Sequence, residues 1–126
     1  MSSAITVLVA DDEPDMRLLV RVVLEQAGLK VVAEAADGHD ALAAVTRLAP
    51  PPIPTVIVLD YKMPGLSGLE VATRVLAESP DQPIILFSAN LSADVRERAH
   101  ELGVRSCVAK AAVKTLPALI TALATE

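Results

Sequence analysis

Apolar residues fall into five short blocks, and each is followed by a polar turn and then by apolar positions at helical spacing. Ile5 to Ala10 is the first block. It stops at Asp11-Asp12-Glu13-Pro14, after which Met16, Leu19, Val20, Val23 and Leu24 predict a helix from Pro14 to Ala27. Pro14 suits a first helical position because its missing N–H has no partner there, and Gly28 supplies the left-handed residue that commonly ends a helix. Leu29 to Ala35 predicts a second strand, Asp37-Gly38 a turn, and Ala41, Leu42, Val45 and Leu48 a second helical stripe that the proline run from Pro50 to Pro54 breaks.

Val56 to Leu59 is apolar on both faces, as expected of a strand in a parallel sheet covered by helices on each side. Pro64, Gly65 and Gly68 then make a loop, and Leu69, Val71, Ala72, Val75 and Leu76 a third helix. Pro83 to Phe87 predicts strand four, ending at Ser88-Ala89-Asn90. Ser92 caps a fourth helix that closes at Gly103. Val104 to Ala109 is the fifth strand, ending at Lys110, and a last helix runs from about Thr115 to Leu123. Five strand–helix pairs in alternation predict an open α/β sheet with right-handed crossovers.

Length and composition narrow the class. At 126 residues, 52% of them hydrophobic, the chain predicts one domain, residues 1–126, with a sizeable core. Eleven Lys+Arg against 16 Asp+Glu give a net charge of −5, which disfavours direct binding to nucleic acid or to anionic membrane surfaces. Cys107 is alone, so no intrachain disulfide forms, and no Cys/His cluster has zinc spacing. Without a basic, apolar leader or a long apolar run, the expectation is a soluble cytoplasmic protein.

In such a sheet the carboxyl ends of the strands share one rim, where ligands bind. The polar residues follow that rule: Asp11 and Asp12 end strand one, Asp60 strand three, Ser88 strand four and Lys110 strand five. Taken singly, each is an ordinary cap, turn hydroxyl or surface cation. Together, carboxylates that would repel one another call for a cation, and oxygen-only ligands favour Mg²⁺ or Mn²⁺. A lysine and a hydroxyl facing that cation suit phosphoryl transfer.

Asp11-Asp12, Asp60 within LDYKMPGLSGLE, Ser88-Ala89 and Lys110 in this order resemble the receiver domain of two-component response regulators, from about Thr6 to Leu123. The resemblance implies a flavodoxin-like, doubly wound (βα)5 sandwich with strand order 2-1-3-4-5. It makes Asp60 the phosphoacceptor, served by a sensor histidine kinase or a histidine phosphotransfer protein. Asp11, Asp12, Asp60 and the backbone carbonyl of Lys62 would bind Mg²⁺, while Lys110, Ser88 and the backbone N–H of Ala89 would contact the phosphoryl group. Lys62 and Asn90 occupy the two variable positions that flank the family's site. The stretch VVAEAADGHDAL is similar to receivers joined to DNA-binding domains, so the output is a downstream protein or a fused domain. The resemblance also leaves a homodimer through the fourth and fifth helices open.

Two positions depart from the family's pattern. Cys107 stands where strand five usually carries an aromatic switch residue, and Ala111 where a proline usually follows the lysine. The expectation is a switch that acts through the loop from Ser88 to Ser92 and not through a ring flip. Two alternatives carry different consequences: a receiver-like adaptor without regulated phosphorylation, and a haloacid-dehalogenase-type phosphatase, whose Asp-x-Asp pair is absent here.

Overall fold

The computed structural model describes residues 5–48, 54–89 and 91–125. Strands β1 (Thr6–Ala10), β2 (Lys30–Ala35), β3 (Val56–Leu59), β4 (Ile84–Ser88) and β5 (Ser106–Ala109) alternate with helices α1 (Pro14–Gln26), α2 (Gly38–Arg47), α3 (Gly68–Glu78), α4 (Ala93–Leu102) and α5 (Leu116–Ala124). All strand pairings are parallel, in the order β2-β1-β3-β4-β5. The doubly wound architecture is the expected one.

Period-two alternation along the strands divides the core into two layers. Leu8, Ala10, Ile57, Leu59, Ile84 and Leu86 pack with α2, α3 and α4. Val7, Val9, Val58, Ile85, Phe87 and Val108 face the other way, against Val20 and Leu24 of α1 and Leu116, Ile120 and Leu123 of α5. Every residue of β3 and β4 is buried, which is why those strands read as unbroken apolar runs.

Local signals set the helix ends. Gly28 at φ 85° lets the N–H of Leu29 return to Leu24 O, closing α1 one residue earlier than expected. Asp37 caps α2 by accepting from Asp40 N–H, and Ser92 caps α4 by accepting from Val95 N–H. Ser67 and Glu70 form a reciprocal capping box at the start of α3.

Two differences from the predicted elements occur near the sheet's far edge. β5 begins at Ser106 and not Val104, because Val104 N–H bonds back to Ala99 O in the turn that closes α4. A 3₁₀ segment over Lys110–Thr115, kinked at Ala112, precedes α5; its small side chains carry no helical stripe that periodicity could detect. Among the described residues no helix is long and apolar enough to cross a membrane.

Gly68 bears directly on the site. A Cβ there would lie 2.2 Å from the backbone oxygen of Asp60, and Gly68 N–H donates to Tyr61 O at 2.8 Å. The loop after β3 therefore folds tightly under its own strand. Gly68→Ala is expected to destabilise the protein by about 1–2 kcal/mol net, because moving a rigid carbonyl costs up to about 3 kcal/mol, against the ~1 kcal/mol that alanine usually gains in a helix. Urea denaturation checks it, and a stability equal to or above wild type would contradict the close approach.

Candidate functional site

Strand register brings the polar residues together. Ala10 pairs with Leu59, so Asp11 and Asp60, each one residue further, stand side by side at the rim. Their backbones are tied down: Asp60 N–H donates to Ala10 O at 2.9 Å and Asp11 N–H to Ala35 O at 3.0 Å. By alternation Asp11, Asp60 and Lys110 have the parity of the residues that face α1 and α5. Ser88, the last residue of β4, pairs with Ala109 of β5.

The side chains then converge. Ser88 Oγ donates to Asp60 Oδ1 at 3.0 Å. Lys110 Nζ donates to Asp60 Oδ2 at 3.0 Å and to Glu13 Oε1 at 2.8 Å. It also lies 3.0 Å from Asp11 Oδ2. Asp11 Oδ1 accepts the backbone N–H of Glu13 at 2.9 Å, turning the chain into α1. A cleft of about 230 Å³ opens over these groups, lined by Asp12, Glu13, Asp60, Lys62, Ser88, Ala89 and Lys110.

The charges are unbalanced. Carboxylate oxygens of Asp11, Asp12, Glu13 and Asp60 lie within 4.8 Å of one another around a single ammonium. Burial pushes the Asp11 carboxyl above the usual range, against its bond from Glu13 N–H and the nearby lysine, and the Asp60 charge adds to the rise. Burial alone would lower the Lys110 ammonium, yet its contacts with Glu13, Asp60 and Asp11 outweigh that and hold it above the ordinary lysine range. The same lysine lowers Glu13.

The acidic set fits a divalent cation. Asp11 Oδ2 is buried and lies off the hydrogen-bonding direction of Lys110 despite the short distance, so it has no hydrogen-bond partner in the protein. A buried carboxylate oxygen left in that state favours a positive ion. Asp12, exposed beside it, lines the same cleft.

Each residue expected at the site is thus brought to one rim, with Lys62 and Ala89 at the cleft wall; Asn90 lies outside the described residues. Glu13 was not singled out by sequence reasoning, although it adjoins the Asp11-Asp12 pair. Spacing could not tell that its carboxylate forgoes capping α1 and turns to Lys110. Outside the rim, Phe87 is buried, Met16 and Met63 are partly buried against the core, and His100 is exposed on α4. Cys107 is half-buried and packs on the α2–α4 layer, where burial pushes its thiol up.

Comparison with known proteins gives the same direction. Residues 7–123 match the family described as the response regulator receiver domain. The chain is 36% identical over 105 residues to a protein-glutamate methylesterase/protein-glutamine glutaminase of Haloarcula marismortui, covering 82% of this chain and 27% of that protein. It is 39% identical to the transcriptional regulatory protein TcrX of Mycobacterium tuberculosis, over 68% of this chain and 34% of that one. The chain therefore spans about a third or less of these curated relatives. Among solved structures, the signal receiver domain of the response regulator NarL from Mycobacterium tuberculosis superposes with a TM-score of 0.88 at 28% identity, covering 98% of both chains.

Removing the shared cation tests the electrostatics. Lys110→Met is expected to cost about 3 kcal/mol at pH 7 in the presence of a chelator, because Asp11 and Asp60 are then buried without a cation. Without the lysine, the Asp11 carboxyl rises further above its unfolded value. The penalty is therefore absent below the unfolded carboxylate range, near pH 4, and grows as pH rises. Added Mg²⁺ should narrow the loss. Urea denaturation across pH checks all three signs, and a loss independent of pH would refute them.

Proposed function

Because this chain belongs to the response regulator receiver domain family, we propose that it accepts a phosphoryl group on Asp60 in a Mg²⁺-dependent reaction and changes its partner-binding surface in response. One observation carries this reading. The Asp60 carboxylate, only 5% exposed, is held from two sides by Ser88 Oγ and Lys110 Nζ at the floor of the cleft.

The chemistry follows from those groups. A carboxylate oxygen of Asp60 attacks phosphorus, forming an O–P bond as the P–N bond to a phosphohistidine breaks, and the departing imidazole keeps the electron pair. Nothing in the step needs a base, since the nucleophile is already an anion. Lys110 and Ser88 sit where they can hold oxygens of the transferred group, and the backbone N–H of Ala89 adds a further donor at the cleft wall. Asp11, Asp12, Asp60 and the backbone carbonyl of Lys62 would hold Mg²⁺, whose charge offsets that of the phosphoryl group. The receiver-family match favours neither the adaptor alternative nor the haloacid-dehalogenase alternative.

In this reading the chain works as one receiver module. Its donor is a sensor histidine kinase or a histidine phosphotransfer protein. Its output passes through α4, β5 and α5 to a downstream protein, a fused output domain or a second copy. The outward face of α4 supplies Asp94, Arg96, Glu97, Arg98 and Glu101, all exposed. The methylesterase name belongs to a relative of which this chain covers 27%, and no such activity is inferred.

The absence of an aromatic at Cys107 directs the signal elsewhere. Phe87 cannot substitute, because strand alternation turns it into the α1/α5 layer while Cys107 packs on the opposite one. Ser88 touches Asp60 and Ser92 caps α4, so the segment between them links phosphoryl group to helix.

Incubation with Mg²⁺ and a small-molecule phosphodonor should add one phosphoryl group by intact mass. Chelation or Asp60→Asn should abolish the gain; labelling that survives Asp60→Asn would overturn the assignment. Amide NMR shifts between the two forms should be largest from Ser88 to Ser92, and an unchanged segment would contradict the proposed route.

A further inference from the structure

The proposed function leaves one contact unexplained. Lys110 Nζ donates to Glu13 at 2.8 Å and to Asp60 at 3.0 Å, and Asp11 Oδ2 lies 3.0 Å from it without a hydrogen bond. Carboxylate oxygens therefore crowd Nζ on three sides, and a phosphoryl oxygen on Asp60 that approaches it displaces the least firmly held.

Burial decides which. The Asp11 and Asp60 side chains are 2% and 5% exposed, so losing the lysine would leave either buried without its cation. The Glu13 side chain is 63% exposed, and water replaces the lysine at once. Glu13 also occupies the N-cap position of α1 yet makes no side-chain cap bond there. Its carboxylate instead crosses to a residue 97 positions later in the chain. A carboxylate oxygen is chemically close to a phosphoryl oxygen, and this one rests on the same donor at the mouth of the same cleft.

We propose that Glu13 is a positioning residue that occupies, in the unphosphorylated protein, the place on Lys110 that a phosphoryl oxygen takes, so that it competes with the incoming anion. This rests on the phosphoryl-accepting reading of Asp60. In the exchange no covalent bond changes: Nζ leaves Glu13 Oε1, turns to the anion, and the glutamate becomes solvated. Glu13 thereby keeps the lysine charge aimed into the cleft while setting a threshold that the phosphoryl group must exceed.

Two titrations of the intact protein test the proposal, with Glu13→Gln and Glu13→Ala beside the wild type. The first measures binding of beryllofluoride, a phosphoryl mimic, at saturating Mg²⁺; the second measures Mg²⁺ alone by calorimetry. Both variants should bind beryllofluoride about two- to fivefold more tightly, the fold-change of an exposed ion pair. They should bind Mg²⁺ equally or more weakly, because a nearby negative charge is gone. The beryllofluoride difference should shrink as salt is raised, since the competing pair is solvent-screened. A merely structural role for Glu13 would produce neither a gain in beryllofluoride affinity without a gain for Mg²⁺ nor its salt dependence. Weaker binding of both ligands would overturn the proposal by making Glu13 a supporter of the cation, and unchanged beryllofluoride affinity would overturn it by making the pair incidental. Failure of the wild type itself to bind beryllofluoride or take up phosphoryl would instead defeat the reading of Asp60.

Discussion

A single ammonium group, Lys110 Nζ, lies among the carboxylates of Glu13, Asp60 and Asp11, with Asp12 close by. Asp11 and Asp60 can be buried side by side only because this cation and the Ser88 hydroxyl face them. The contact joins the ends of β1, β3 and β5, whose residues are far apart in the chain. It also leaves an excess of negative charge at the rim. That excess makes the site receptive to a divalent cation, and a cation in turn makes it tolerant of an anion.

The scaffold serves this arrangement by being rigid where the charges meet. β3 and β4 are buried on both faces, and Gly68 lets the loop after β3 pass beneath the Asp60 carbonyl with no room for a side chain. At the rim stand the exposed Glu13 and, beyond β4, the Ser92 cap of α4. Cys107 of β5 puts a small thiol, not a ring, against the α2–α4 layer. The polar groups of the site thus stand directly above a fixed core.

Much of this was legible in the chain. Alternating apolar blocks located all five strands and helices, and strand-end polarity named Asp11, Asp12, Asp60, Ser88 and Lys110 as one rim. Boundaries shifted where local bonds overrode pattern, as when Val104 closed the α4 turn instead of starting β5. The 3₁₀ segment after Lys110 escaped notice because Ala111 and Ala112 carry no periodic signal.

What the sequence determined by itself was which residues are apolar, how they repeat, and therefore which elements form and at which end of each strand a polar side chain must stand. These are properties of near neighbours, governed by the helical and extended repeat. Tertiary structure alone decided that Glu13 turns from its own helix toward Lys110, that Phe87 and Cys107 lie in opposite layers, and that one oxygen of Asp11 is left without a hydrogen bond. Those outcomes depend on distances between groups far apart in the chain, and on which of them water can reach. Both quantities arise only when the sheet has closed its register.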